Sequence, residues 1–216
     1  MLILAADTSL PIFSVALLRD GALIGAVALE GKSSRNEKLL PAVDWLLTES
    51  GTDRHAVDLF AVTRGPGSFT GVRIGLATIQ GLALALNKPI CAMSTHEAIA
   101  LGENDGTPAS SPAASLDRTA IIDDAGRGEF YVSLFQGHRE IEPPHLAKHD
   151  ERDTLVESVA LAIDIAGFLQ HGNVAAACAR RAGELAAANA LDRYADVTPI
   201  YVRLAEAEVK LQQKNG

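Results

Sequence analysis

The stretch LFAVTRGPGSFTGVRIGLATIQGLALAL, residues 59–86, constrains this chain more than any other. A β-type run over Leu59 to Thr63 enters a loop carrying Gly65 and Gly67, and then a helix predicted from about Thr70 to Leu86. Gly71, Gly75, Thr78 and Ala85 fall near one stripe of that helix. A glycine in a helix interior costs about 1 kcal/mol relative to alanine, so two on one face demand a compensating contact. The stripe therefore predicts another backbone packed closely against it.

A strand, a glycine loop and a helix N-terminus together also make an anion site. The details oppose a self-sufficient one. Gly71 is followed by Val72 and Arg73 where a Walker loop needs Lys and then Ser or Thr, and Thr70 stands where a dinucleotide fingerprint needs its third glycine. Pro66 removes an N–H donor from the middle of the loop. Asp7, Thr8 and Ser9, at the end of the first apolar run, are of the residue types that hold a magnesium-bound phosphate. Asp-Thr-Ser after a strand is equally a common turn and cap.

Before this block, residues 2–6, 12–18 and 22–29 are short apolar runs. Asp20-Gly21 between the second and third is a strong hairpin signal. Ser34 and Glu37 have capping-box spacing, and Leu39, Leu40, Val43, Leu46 and Leu47 continue at helical spacing until Gly51. Pro41 either kinks this helix or marks its true start. After the glycine block, residues 88–93 read as a strand and Thr95 to Leu101 as a short helix. Three antiparallel strands followed by alternating helices and parallel strands describe a ribonuclease-H-like lobe over residues 1–101.

Residues 102–118 turn to Gly, Pro, Ser, Asn and Asp, a linker or mobile loop and the best domain boundary. Beyond it, residues 119–216 form a second, smaller lobe. Thr119 to Asp123 and Phe130 to Phe135 read as a hairpin, and Pro143-Pro144 to Asp153 as irregular. Thr154 to Leu169 fits helix and strand equally. Cys178 to Leu191 is helical, Val197 to Val202 extended, and Ala205 to Gln213 a charged helix. The second lobe starts like the first but lacks a third strand, as a degenerate copy would.

With 48% hydrophobic and 21% charged residues in 216, the chain is a folded globule. A formal charge of −8 without a basic cluster disfavours direct nucleic-acid binding. Cys91 and Cys178 stand far apart in apolar surroundings, which predicts reduced, buried thiols. The start has no basic leader region and no stretch approaches a membrane span, so a cytoplasmic, soluble protein is expected. His145 and His149 have i, i+4 spacing but follow two prolines without a third ligand, and are expected to be solvated loop residues. No metal site is expected.

ILAADTS, NEKLLP, RGPGSFTGVRIGLATIQGLALAL, DDAGRGEFYVSLF and PIYVRLAEAE together resemble the TsaB (formerly YeaZ) family. That resemblance implies two ribonuclease-H-like lobes of the actin, sugar-kinase and chaperone ATPase superfold. It implies a non-catalytic partner of TsaD in the bacterial machinery that makes N6-threonylcarbamoyladenosine at position 37 of tRNAs reading ANN codons. TsaD-type paralogues carry an HxxxH metal pair after the strand that follows the glycine-rich helix. Here His96 is followed by Ala100, so one imidazole remains. Family members often read HSE where this chain has Arg35-Asn36-Glu37; Glu37 is kept.

In this family the first helix and the glycine-rich helix pair with the same helices of TsaD, or with a second copy in a homodimer. The implied partner interface is Glu37, Leu40, Gly71, Val72, Gly75, Leu76, Thr78, Ile79 and Leu82. TsaE, an ATPase, joins the assembly, tRNA is reached only through the complex, and ATP with Mg²⁺ lies near the subunit junction, close to Asp7, Thr8 and Ser9. The rival expectation is an enzyme of the same fold, an ATP-dependent phosphotransferase or a metal-dependent protease. A third is a plain homodimer.

Overall fold

Alternation along the first strands decides the architecture. The computed structural model describes residues 1–30, 35–102, 118–137 and 139–203. Strand β1 (Leu2–Asp7) is buried at every position. It sends Leu2, Leu4 and Ala6 to one side of its sheet and Ile3 and Ala5 to the other. β2 (Ile12–Arg19) and β4 (Leu59–Thr63) divide in the same way, Phe13, Val15, Phe60 and Val62 against Ala16, Leu18, Leu59 and Ala61. A sheet apolar on both faces must be covered on both.

With β3 (Ala22–Glu30) and β5 (Ile90–Met93) the sheet has the order β3-β2-β1-β4-β5. β1, β2 and β3 are antiparallel; β4 and β5 run parallel to β1. Asp20 and Gly21, both at positive φ, make the two-residue turn between β2 and β3. Helices α1 (Arg35–Glu49) and α2 (Phe69–Ala85) cover one face with Leu39, Val43, Leu46, Val72, Leu76 and Ile79. Helix α1 continues through Pro41, which sits on its exposed side. Ser34, the expected cap, lies outside the described residues.

The other face is covered from a distance. Helix α6 (Val174–Ala187), expected within the second lobe, lays Ala175, Ala176, Cys178, Ala179, Ala182 and Leu185 against Ile3, Ala5, Leu18 and Leu59. Asn173 caps it through the Ala176 N–H. Arg181 reaches Glu97 of α3 (Thr95–Gly102) at 3.3 Å, and Tyr194 donates to the same carboxylate at 2.6 Å. Both cysteines are buried and neither forms a disulfide; burial pushes the Cys91 thiol up to about 12.

The second sheet repeats the first. β6 (Arg118–Gly126), β7 (Glu129–Gln136) and β8 (Arg139–Lys148) are antiparallel, and β9 (Leu161–Asp164) runs parallel to β6, in the order β8-β7-β6-β9. A third strand is therefore present, contrary to the sequence expectation. β8 is an edge strand, and Pro143-Pro144 fall where its register with β7 shifts, so the missing N–H groups interrupt no ladder. The ambiguous stretch 154–169 holds most of α4 (Arg152–Glu157), β9, and α5 (Ile165–Phe168) in succession. The lobes meet through Leu10, Ile99, Leu101, Ile121, Phe135, Ile165 and Val174. Residues 103–117, including nearly all of the expected linker, and the expected helix 205–213 lie outside the described residues. No helix among the described residues is long and apolar enough to cross a membrane.

Candidate functional site

The ends of β1 and β4 and the start of α2 converge on the side facing the second lobe. Asp7, Thr8 and Ser9 are buried there, at 0%, 1% and 2% exposure. Asp7 Oδ1 accepts from the Ser9 hydroxyl at 2.6 Å, from the Ser9 N–H at 3.2 Å and from the Thr63 hydroxyl. Ser9 Oγ is 2.9 Å from Thr95 Oγ1. Asp7 Oδ2 is buried without a hydrogen-bond partner among the described residues. Burial raises the Asp7 carboxyl above its ordinary value, against the opposing pull of its Ser9 and Thr63 hydrogen bonds.

Gly71 and Gly75 of the α2 stripe face this turn. The Thr8 hydroxyl donates to the Gly71 carbonyl at 2.6 Å, and a Cβ on Gly75 would lie 2.3 Å from Thr8 Oγ1. The compensating close contact thus comes from the same chain. Gly67 is needed for a similar reason, since a Cβ there would lie 2.4 Å from the Ser9 carbonyl oxygen. That oxygen accepts the Ser68 N–H at 2.6 Å, while the Ser68 side chain caps α2 by accepting the Gly71 N–H at 3.2 Å.

The expected interface residues consequently separate. Gly71, Val72, Gly75, Leu76 and Ile79 are buried within this chain, which corrects their assignment to a partner surface. Thr78 and Leu82 are partly buried. Glu37 and Leu40 are exposed, Leu40 at 44%. Trp45 at 55% and Leu84 at 81%, which the sequence did not single out, are the large apolar side chains of α1 and α2 that face outward most. Helical spacing places Trp45 one turn beyond Pro41, a signal available in the sequence.

Between the lobes lies a cleft of about 720 Å³, lined by Ser9, Gly67 and Ser68 on one side and by Asp123, Asp124, His149, Arg152 and Asp164 on the other. Arg152 is paired with Asp164 at 3.0 Å, and His149 stands 3.9 Å from Asp124. Burial raises the Asp123 carboxyl to about 7, with Asp124, Asp164 and Asp7 adding to the rise. A lining this rich in carboxylate repels phosphate, and the Ser68 and Gly71 N–H groups are already engaged.

His96 is fully buried, its Nδ1 2.7 Å from Ser133 Oγ of β7. Burial, then the nearby His145, lowers it to about 3, so it is a neutral interlobe tie. Ala100 is buried one turn later. His145 lies exposed on β8 beside the Pro143 carbonyl, and His149 just past that strand, so they share no helical face. Among the described residues no group of three His, Cys, Asp or Glu side chains is placed to hold a metal ion.

A family model described as "TsaD: tRNA N6-adenosine threonylcarbamoyltransferase" matches residues 31–144. The "tRNA threonylcarbamoyladenosine biosynthesis protein TsaB" of Escherichia coli (strain K12) is 38% identical over 63% of this chain, and the match spans 55% of that protein. The protein of the same name from Bacillus subtilis (strain 168) is 32% identical over 97% of both chains. Among solved structures, "YeaZ from Pseudomonas aeruginosa" superposes with a TM-score of 0.71 at 25% identity, covering 93% of this chain and 99% of the other. With an end-to-end match at that identity and the same two-lobed architecture, this chain belongs to the TsaB (YeaZ) family.

Proposed function

We propose that this chain is the non-catalytic partner subunit of the complex that transfers a threonylcarbamoyl group to N6 of adenosine 37 in tRNAs reading ANN codons, pairing with TsaD and activating it. The observation that carries the reading is that the outward sides of α1 and α2 carry large apolar side chains, Leu40 44%, Trp45 55% and Leu84 81% exposed, while Leu39, Val43, Leu46, Val72, Leu76 and Ile79 of the same helices are committed to the core. Such a face is suited to pack against another helix pair. Alone, the chain would self-associate through the same surface. In the larger assembly TsaE joins, tRNA is met only through the complex, and ATP with Mg²⁺ is handled at the junction with partner subunits. The place of action is the cytoplasm.

The carboxylate-lined cleft and the neutral, engaged His96 support the non-catalytic role over an ATP-dependent phosphotransferase or a metal-dependent protease. The test mixes the purified chain with its TsaD and TsaE and measures the modified base on tRNA. Activity that requires this chain, with no ATP turnover by the chain alone, is the expected result. Equal activity without it, or turnover by it, overturns the proposal.

A further inference from the structure

The segment after the last described helical turn is bonded to both lobes, beside residues that line the interlobe cleft. On the first lobe, Ile200 N–H donates to the Arg64 carbonyl at 2.7 Å, and Arg64 reaches the Thr198 carbonyl at 3.1 Å and Asp196 at 3.3 Å. The Ile200 carbonyl lies so close to Gly65 that a Cβ there would sit 2.9 Å away. Tyr201 OH accepts from Arg73 Nε at 2.6 Å, its ring is 4.7 Å from that of Phe69, and the Arg73 guanidinium lies 3.8 Å over the Phe69 ring. Two residues on, Arg203 donates to the Ala125 carbonyl at 2.8 Å and pairs with Glu129, gripping the β6–β7 turn of the second lobe.

Phe69 directly follows Ser68, and both Ser68 and Ala125 line the cleft. The anchors are therefore set on its two walls. The apolar junction of Leu10, Ile99, Phe135 and Ile165 holds the lobes together elsewhere. Its burial does not respond to salt, whereas the strap's ion pairs are part exposed, Arg203 at 24% and Glu129 at 36%.

We propose that residues 196–203 act as a releasable strap that sets the opening of the interlobe cleft, with Tyr201 and Arg203 as its anchors on the first and second lobe. Loosening either anchor frees both lips, because only Val202 lies between the two grips. This device belongs to the single chain and does not depend on which partner it meets.

Hydrogen exchange of the full chain tests it. Tyr201→Ala cuts the first-lobe anchor, and exchange in the second-lobe turn 124–130 is expected to rise about tenfold. Glu129→Gln weakens the other end by removing the charge that Arg203 pairs with, although its bond to the Ala125 carbonyl remains, and exchange at 64–68 and at the Ile200 amide is expected to rise, by less than about tenfold. Wild type at 1 M salt should move toward the Glu129→Gln pattern, while peptides from β1 and α6 stay unchanged in all cases. An effect confined to the side of each substitution overturns the strap, and so does a uniform rise along the chain, which would mark general destabilisation.

Discussion

Replacing Gly75 with alanine puts a methyl group where there is no room for one. The new Cβ would lie 2.3 Å from Thr8 Oγ1 and 3.5 Å from Thr8 Cβ. That hydroxyl is already bonded to the Gly71 carbonyl, and Thr8 is β-branched and fully buried, so it has few rotamers to retreat into. Breaking the bond and leaving buried groups unpaired costs about 1–3 kcal/mol. Overpacking adds about 1–3 kcal/mol. The better helix propensity of alanine returns about 1 kcal/mol. A net loss of about 1–5 kcal/mol follows, lowering Tm by about 2–20 °C in a chain of this size. Thermal unfolding followed by circular dichroism measures it. In a Thr8→Ala background the same change should cost less than about 1 kcal/mol, because the obstructing hydroxyl is gone. A Gly75→Ala protein with unchanged or raised Tm, or an equal loss in both backgrounds, would refute the intramolecular packing; normal folding with lost partner binding would return this face to the interface.

Leu84→Asp, at a site 81% exposed, should leave Tm within about 1 °C yet weaken pairing with TsaD at least about thirtyfold by calorimetry, as expected for an interface anchor. Trp45 is the only tryptophan, so its emission should shift to the blue when that surface is covered, and an unmoved spectrum on complex formation would place the contact elsewhere. Asp123 binds its proton more tightly folded than unfolded, so its contribution to stability is full below about pH 4 and lost as the pH rises through about 7. Asp123→Asn should accordingly flatten the Tm profile between those values and raise Tm at pH 8; parallel profiles would contradict this. Ser68→Ala removes the α2 cap and should cost about 0.5–2 kcal/mol in urea unfolding.

The first lobe was legible because its signals are local. The Asp20-Gly21 turn, the apolar run over residues 2–6 and the helical spacing after Leu39 each operate within a few residues, and each appears in the structure. Two prolines hid β8, since edge position and a register shift, which make them harmless, are properties of the neighbouring strand. Residues 154–169 fitted no single period because two helices and a strand share them. At the site, the sequence revealed that Gly71 and Gly75 need a close neighbour but not which one. Thr8 stands 67 residues before Gly75, and the Arg73–Tyr201 contact joins positions 128 apart. Asp123 acquires its character only once folding buries it, with Asp124, Asp164 and Asp7 close by.

The return of α6 to the first sheet has a consequence for synthesis on the ribosome. Ile3, Ala5, Leu18, Leu59 and Met93 emerge early, but the alanine-rich helix that seals them is translated only after the whole second sheet. At roughly 5–20 residues per second, that apolar face waits several seconds for its cover. A nascent chain halted after Gly102 is therefore a natural client for holding chaperones. The two halves, although each carries its own sheet, mature as one obligate unit.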